Sequence, residues 1–337
     1  FFYATITLSL FKVFYGMTMT PYQSWMPELT EPEERPAVSS WQNVANFIGF
    51  VIGTFGSALL AIEAIEWELP SEILYMILAF VVMQLLGFFP SLMGLHKEGK
   101  FIPQPSIRKD LRRALKDRDF VGWLVAQGLL SVGIAMITTT TFPYINDYLV
   151  FGVMEFIIFG VELLSVVFVF FLIYQLTIRR IGKRFTLQLA MMLAVVSLPF
   201  TMVITTSSGA FLLLAFAGAG VAGYYLMPYI VYADFAQKDE IMTGEGRAGF
   251  YTSFPSIPLN GMQAFSAFLW GIIFALPEIV PIPDNPSELV TQGYLFWGPI
   301  ASLFLLMSVL VLFKVDIDPD FESLKAQYPQ QESEIET

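Results

Sequence analysis

Long apolar stretches separated by short polar gaps dominate this chain. We distinguish nine of them, at residues 1–26, 37–62, 72–95, 119–143, 151–176, 185–205, 209–233, 249–277 and 290–313. Each has about the twenty residues that an α-helix needs to cross the hydrocarbon core of a bilayer. The pattern therefore predicts an all-α integral membrane protein in which about nine transmembrane helices form a bundle.

Among the gaps between these stretches, lysine and arginine occur only in every second one. The odd-numbered gaps and the C-terminal tail carry Arg35; Lys97, Lys100, Arg108, Lys109, Arg112, Arg113, Lys116 and Arg118; Arg179, Arg180, Lys183 and Arg184; Lys238 and Arg247; and Lys314 and Lys325. The even-numbered gaps carry acidic residues such as Glu63, Asp147 and Glu278. Basic loops tend to face the cytoplasm, so the odd gaps and the C-terminus are predicted to be cytoplasmic. A soluble bundle would have amphipathic helices and would not segregate its charge in this way.

The composition supports a membrane protein and excludes several other classes. Of the 337 residues, 55% are hydrophobic and only 14% are charged, whereas soluble domains carry about a quarter of charged residues. The net charge of −11 resides mostly in the outer gaps and the tail, and no water-exposed basic patch suggests a nucleic-acid partner. With no cysteine and one histidine, His96, the chain offers no set of metal ligands. We expect no cofactor except a coupling ion; the sequence does not indicate an oligomeric state.

The longest internal basic loop divides the chain into unequal parts. The predicted domains are residues 1–95, with three helices; a basic cytoplasmic linker at 96–118; a six-helix half at 119–314; and an acidic, disordered tail at 315–337. A transporter of two six-helix halves would give this pattern if its first three helices were missing, so the stretches correspond to helices four to twelve of twelve. The alternative is a true nine-helix protein.

Four ionisable side chains lie within or at the ends of the predicted helices, where charge is costly and marks candidate functional sites. They are Lys12, Glu155, Glu162 and Asp234. Glu155 is near enough to the outer end to be interfacial. Lys12 and Glu162 lie deeper. Each is predicted to be either a cavity charge that binds a substrate or coupling ion or a member of a structural ion pair between helices. Lys12 could instead extend its ammonium to the membrane surface by snorkelling. Asp234, at the inner mouth, is expected to clasp loops, to gate or to contact substrate.

A buried carboxylate without a partner is costly, so Glu162 is expected to have either a partner or a proton. With a proton, it would be a candidate site for H⁺ coupling. Proton coupling is thus a specific form of the cavity-charge hypothesis for Glu162.

Polar residues on shared helix faces are the candidates for substrate binding. Gln42 and Asn46 follow Ser39 at helical spacing, so the three share one face and predict a lining for a cavity. Tyr225 and Tyr229 also share a face, and tyrosine can stack on a sugar ring and hydrogen-bond its hydroxyls. The alternative for these tyrosines is an interfacial aromatic belt.

Prolines interrupt the eighth apolar stretch and predict a broken helix. Pro255 and Pro258 precede Asn260 and Gly261 inside an otherwise apolar run. Proline removes a helical hydrogen bond, and the carbonyls that it frees near the midplane often contribute to transporter sites. Asn260 is therefore a candidate substrate ligand at a helix break, although prolines also merely kink membrane helices.

Three sequence motifs resemble those of a known family. "PYQSWMPELTEPEER" at 21–35 resembles the loop after helix four of the glycoside–pentoside–hexuronide:cation symporters, the melibiose permease-like group of the major facilitator superfamily. "RRIGKR" at 179–184 resembles the basic turn after helix eight of that family. "YADFAQKDEIMTGEGRAGFYTS" at 232–253 resembles the segment that links its helices ten and eleven, and is the most specific of the three.

The resemblance implies a major facilitator-type helix bundle and the transport of a sugar or related solute with H⁺ or Na⁺ by alternating access. It also implies that Tyr225 matches a family aromatic residue, while Met19, Gln42 and Asn260 stand where the family often has charged side chains. The leading hypothesis is a secondary active transporter of the cell membrane. The alternatives are a lipid or amphiphile carrier of the same superfamily and a non-transporting membrane protein. An enzyme is not expected, because catalytic side chains do not cluster at one depth.

Overall fold

The computed structural model describes residue 14 and residues 30–63, 71–94 and 107–328. The chain forms two compact units, one of residues 1–45 and 107–337 and the other of residues 46–106. The first predicted stretch lies outside the described residues except for Phe14, and the candidate cavity charge Lys12 lies outside them as well.

The described residues are predominantly helical. In chain order they form α1 (Arg35–Glu63), α2 (Ser71–Gly94), α3 (Ile107–Ala114), α4 (Arg118–Pro143), a π-helix (Tyr144–Tyr148), α5 (Val153–Ile181), α6 (Lys183–Ser197), a 3₁₀-helix (Leu198–Met202), α7 (Ser207–Thr243), α8 (Ala248–Ser253), α9 (Ser256–Phe274), β1 (Glu278–Pro281), β2 (Leu289–Thr291), α10 (Gly293–Leu312) and α11 (Phe321–Gln327). The short strands β1 and β2 pair antiparallel as a hairpin.

Six helical segments within the described residues are long and apolar enough to cross a membrane. They span Arg118–Tyr148, Met154–Ile181, Lys183–Met202, Ser207–Thr243, Ala248–Phe274 and Gly293–Leu312. These segments coincide with the last six apolar stretches of the sequence, and α1 and α2 coincide with the second and third. The predicted all-α membrane bundle is thus confirmed.

The helix α7 is longer than the apolar stretch that predicted it. The stretch covers 209–233, whereas α7 continues to Thr243 and ends at Gly244, whose φ of 70° is left-handed. Hydropathy marks only the part of a helix that is apolar. The polar last turns remain helical because their buried carboxylates, Asp234 and Asp239, have ionic partners.

The interruption of the helix lies at a different place from the one that we predicted. Helix α8 ends at Ser253 and α9 begins at Ser256, so the interruption falls at Pro255 and not at Asn260. Pro258 is the third residue of α9, where a backbone N–H has no partner within the helix and proline is tolerated. Asn260 therefore lies inside a continuous helix, and its predicted place at a break was wrong.

Close contacts between small residues join α6 and α7. A Cβ atom added to Gly220 would lie 2.6 Å from the Cβ of Ala194, and one added to Gly223 would lie 2.5 Å from the Cβ of Ala190. Such separations leave no room for a methyl group, and small residues permit this approach between membrane helices. Helix α7 also packs against α5, and α4 packs against α9 and α10.

The chain after α10 is ordered up to Tyr328, although its acidic composition predicted disorder. Val315 and Ile317 are buried, and α11 follows them. These two apolar side chains alternate with exposed aspartates, which is the spacing of an extended segment with one face against the protein. The average composition of the acidic tail does not reveal a pattern of so few residues. Residues 329–337 lie outside the described residues.

Aromatic rings pack where α4 passes into the π-helix. Tyr148 stacks on Tyr294 with ring centroids 6.0 Å apart, and Tyr144 meets Trp297 edge-on at 5.6 Å. The hydroxyl of Tyr294 donates a hydrogen bond of 2.8 Å to the carboxylate of Asp147. These contacts join the start of α10 to the end of α4.

Candidate functional site

Ion pairs gather at one end of the larger unit, which we call the basic end. They connect residue 35, residues 110–119, residue 183 and residues 234–247. These residues belong to odd-numbered gaps or to the helix ends that flank them, so the gaps that we grouped by charge do meet in space. We call the opposite end, with residues 143–152 and 277–292, the acidic end.

Four side chains at the basic end form a cluster that we call the clasp: Arg35, Lys183, Asp234 and Gln237. The Nη1 atom of Arg35 lies 2.6 Å from one carboxylate oxygen of Asp234, and the ammonium of Lys183 pairs with the other oxygen. The Nη2 atom of Arg35 donates to the side-chain oxygen of Gln237 at 2.7 Å. Both carboxylate oxygens of Asp234 thus have a cationic partner, and Arg35 holds two acceptors on α7.

The clasp joins the start of α1 to the last third of α7, and the contact continues along α1. Ser39 donates a hydrogen bond of 2.8 Å from its hydroxyl to the carbonyl oxygen of Leu226. Asn43 donates to the carbonyl oxygen of Ser39 at 2.8 Å. Arg35, Ser39 and Asn43 are spaced by four residues and are all buried, so they share one buried face of α1, from which Arg35 and Ser39 bond to α7.

Burial makes the clasp sensitive to the loss of any one charge. Arg35 and Asp234 each expose only 1% of their side chains. Removing one member of a buried ion pair leaves an uncompensated charge and costs about 3–5 kcal/mol. The same charges regain water if the two helices separate. Because partly separated charges would be costly, we expect the clasp to be either fully formed or fully broken.

A second group of charges attaches the predicted linker to the basic end. Arg247 lies 2.6 Å from Asp239, and its Nε atom is 2.8 Å from Asp110 of α3, although these two atoms are not aligned as a hydrogen bond. Arg113, also in α3, pairs with the other oxygen of Asp239 at 2.9 Å. The helix α3 is thereby fixed to the segment that joins α7 and α8.

Neutral polar side chains form a further cluster between α4, α7 and α9. The hydroxyls of Ser131 and Tyr224 lie 2.9 Å apart, and the Tyr224 hydroxyl also interacts with the side chain of Gln263. Tyr232 donates to the side-chain oxygen of Gln127. We call these five residues the hydroxyl–amide cluster. It offers donors and acceptors without any charged group.

The residues predicted to bind substrate are dispersed. Tyr225 and Tyr229 are half-buried in α7, next to the hydroxyl–amide cluster along the same helix. Asn260 is exposed on α9, the helix that also carries Gln263. Gln42 is half-buried on α1, beside the face that meets α7, and Asn46 belongs to the smaller unit.

The structure places the two predicted charges Asp234 and Glu162 in different surroundings. Asp234 is buried in the clasp, and its role in clasping loops, in gating or in substrate contact stays a prediction. Glu162 is half-buried on α5, and its Oε2 atom is shielded from solvent without a hydrogen-bond partner in the part of the chain that the structure describes. Its carboxylate is therefore not part of the clasp, and its role in coupling stays a prediction.

Several residues of these sites were not identified from the sequence. Arg35 and Lys183 were recognised only as basic residues of the odd gaps, because the partner of Arg35 lies 199 positions away. Ser131, Gln127 and Gln263 are single polar residues in apolar helices, and a search for polar side chains at four-residue spacing in α4 would have found the first two.

Comparisons with known proteins agree with this architecture. A family model described as MFS/sugar transport protein matches residues 1–319. The "Uncharacterized symporter sll1374" of Synechocystis sp. (strain ATCC 27184 / PCC 6803 / Kazusa) is 28% identical over 102 residues, a match that covers 28% of this chain and 19% of that protein. A crystal structure of a bacterial homologue of the iron transporter ferroportin, in an outward-facing state, aligns with a TM-score of 0.58 and 16% identity.

The structural alignment covers 86% of this chain and 65% of the ferroportin homologue, so the chain spans only part of the length of the proteins that it resembles. At this identity the alignment shows the fold alone. The match to the family model extends over nearly the whole chain and confirms the resemblance that the three motifs suggested. This integral, multi-pass membrane protein therefore belongs to the MFS/sugar transport protein family.

Proposed function

We propose that this chain belongs to a secondary active transporter that moves a small solute by alternating access. The observation that carries the proposal is the clasp, a buried charge cluster between α1 and α7 in which both carboxylate oxygens of Asp234 have a cationic partner. By the predicted division of the chain, α1 belongs to one half of the bundle and α7 to the other. Alternating access requires contacts at one end that form in one state and break in the other, and the clasp has the chemistry for this.

The proposed orientation places the basic end in the cytoplasm and the protein in the cell membrane. The exclusion of lysine and arginine from the even gaps supports this orientation. With the clasp closed, the cytoplasmic side would be sealed. The C-terminus would then also lie in the cytoplasm.

The proposed substrate is a sugar or a related neutral solute, bound beside the hydroxyl–amide cluster. Tyr224, Ser131 and Gln263 present hydroxyl and amide groups of the kind that pair with sugar hydroxyls. Tyr225 and Asn260 lie on the same two helices, α7 and α9. The family description and the name of the symporter relative support a sugar substrate and a coupling ion. No chemical transformation is part of the proposal.

Glu162 is the proposed coupling residue, because its Oε2 atom is shielded from solvent and has no hydrogen-bond partner among the described residues. We expect Glu162→Gln to uncouple uptake from the proton gradient while exchange of bound substrate continues. Glu155→Gln is a matched control, since Glu155 lies on the same helix and accepts a hydrogen bond of 2.9 Å from the backbone of Gly152. Equal pH dependence of uptake in Glu162→Gln and wild type would remove this residue from the mechanism.

Uptake into proteoliposomes tests the function as a whole. The intact protein would be reconstituted and supplied with labelled sugars in the presence of a sodium gradient, a proton gradient or none. We expect one sugar to accumulate with one of the gradients, and Tyr225→Ala and Asn260→Ala to weaken its apparent affinity. If neither gradient drives accumulation of any sugar, while a labelled lysolipid is carried, the substrate assignment is wrong.

A further inference from the structure

The segment that follows α10 crosses the basic end next to the clasp. We call residues 315–320 the strap. Val315 and Ile317 are buried at 3% and 1% exposure. A Cβ atom on Gly122 of α4 would lie 2.5 Å from Val315, so the strap lies directly on that helix. The backbone N–H of Asp316 donates to Asp119 at 3.0 Å and fixes the strap further.

One residue of the strap holds the backbone at the start of α6. The carboxylate of Asp318 accepts hydrogen bonds from the N–H groups of Lys183 and Arg184, at 2.7 and 3.0 Å. The first N–H groups of a helix have no partner within the helix and carry its positive dipole end, so a carboxylate stabilises them. The strap thus supplies the N-terminal acceptor for α6 from 134–135 positions away in the chain.

Gly182 makes this contact possible. Its φ of 84° is a conformation that side chains with a Cβ atom rarely adopt. A Cβ atom at this position would also lie only 2.9 Å from the Oδ2 atom of Asp318. The turn therefore requires glycine both for its backbone conformation and for the approach of the aspartate.

Lys183 connects the strap to the clasp. Its backbone N–H is held by Asp318, and its side-chain ammonium pairs with Asp234. A lysine side chain has four flexible carbons and loses rotamer entropy when it is fixed. An anchored backbone limits the volume that the ammonium can explore and keeps it within reach of Asp234.

The strap and α11 also line two cavities beside the clasp. One, of about 240 Å³, has Asp234 in its wall together with Ile317 and Pro319. The other, of about 720 Å³, lies between Arg35 and α11. Pro319 and Asp320 contribute to both. Movement of the strap would therefore alter the surroundings of the clasp directly.

We propose that Asp318 is a positioning residue of the clasp: by holding the backbone of Lys183, it keeps the ammonium on one oxygen of Asp234, which orients the other oxygen toward Arg35 and so favours the state in which α1 and α7 are in contact. This inference rests on the proposed role of the clasp in alternating access. Asp318 touches neither Arg35 nor Asp234, and its effect passes through Lys183.

The test uses a cysteine at Ser39 as a reporter, because the chain has no other cysteine and Ser39 is buried where α1 meets α7. Alkylation of Ser39→Cys by an impermeant reagent, added to the basic end of membrane vesicles, reports separation of the two helices. We expect Asp318→Ala to raise the labelling rate about tenfold, the size of effect expected for the loss of a helix N-terminal acceptor. Asp318→Asn keeps one acceptor oxygen and should give a smaller increase.

The control is Asp320→Ala, because Asp320 lies on the same strap and caps α11 by accepting from Ser323 at 3.2 Å, without contact to Lys183. It should leave labelling unchanged. The decisive comparison repeats the Asp318 variants in a Lys183→Met background, where they should have no further effect. A purely structural role would give the same increase in both backgrounds and would overturn the proposal, as would an equal effect of Asp320→Ala.

The reporter needs no substrate, so its outcome is separable from the transport assay. Loss of the Asp318 effect in Lys183→Met, together with a failure of uptake, would support the positioning role and refute the transport function. If the Asp318 variants raise labelling equally in the wild-type and Lys183→Met backgrounds while uptake is normal, the positioning role is refuted and the transport function is supported. If Asp318→Ala does not accumulate in the membrane, Asp318→Asn gives the same comparison.

Discussion

The two ends of the larger unit are held together by different chemistry. At the basic end, charged side chains join α1 to α7 through buried ion pairs. At the acidic end, the described contacts join α4 to α10 through stacked aromatic rings and one Tyr294–Asp147 hydrogen bond. Helices α4 and α10 belong to the same predicted half, whereas α1 and α7 belong to different halves. Under the proposed alternating access, the contacts at the basic end would break, whereas those at the acidic end would move as one piece.

The largest expected effect follows from removing the shared charge of the clasp. Asp234→Asn leaves Arg35 and Lys183 as neighbouring cations without a carboxylate. The loss of a buried partner costs about 3–5 kcal/mol, which corresponds to at least a hundredfold shift toward separated helices. Alkylation of Ser39→Cys measures this shift. A change below threefold would show that the clasp does not hold α1 and α7 together.

An intermediate effect is expected at the acidic end, and on a different property. Tyr294→Phe removes the hydrogen bond to Asp147, worth about 1 kcal/mol, and leaves the exposed carboxylate in water. The thermal midpoint of the protein should fall by a few degrees, while labelling of Ser39→Cys stays the same. Faster labelling in this variant would contradict the separation of roles between the two ends.

The smallest effect is expected for a pair at the basic end whose two side chains both keep access to water. Lys238 and Asp117 lie 3.0 Å apart with side chains 20% and 26% exposed. Exposed pairs contribute less than about 1 kcal/mol and are screened by salt. Lys238→Met should therefore change Ser39→Cys labelling less than threefold, and added salt should reduce the difference further. An effect as large as that of Asp234→Asn would mean that charge at this end, and not burial, decides closure.

Hydropathy and charge were sufficient to predict the helices and the grouping of the basic gaps. Both are properties of stretches some twenty residues long, and the bilayer imposes them on any membrane protein. The resemblance to a transporter family could also be recognised from the sequence. Its most specific motif, residues 232–253, is one continuous segment that includes Asp234.

The partners within the sites required the structure. The sequence places Ser39 and Gln42 on one polar face of α1, yet only Ser39 of this pair is buried and bonds to α7, while Gln42 is half-buried and its neighbour Asn43 is buried. The pairing of Arg35 with Asp234 joins distant positions, and no local pattern contains it. The role of Asp318 depends on the glycine turn at Gly182, whose backbone conformation a motif alone does not specify.

The contacts between α6 and α7 have a consequence for the state in which α1 has moved away. Because Gly220 and Gly223 leave no space against Ala194 and Ala190, the two helices cannot slide past each other and must travel together. Lys183 begins α6 and Asp234 lies in α7, so this pair is carried along intact while Arg35 departs. The opened conformation would thus retain a neutral pair, and only the arginine would have to be rehydrated. Under the proposed mechanism, this would lower the free-energy difference between the two conformations that the binding of a solute has to overcome.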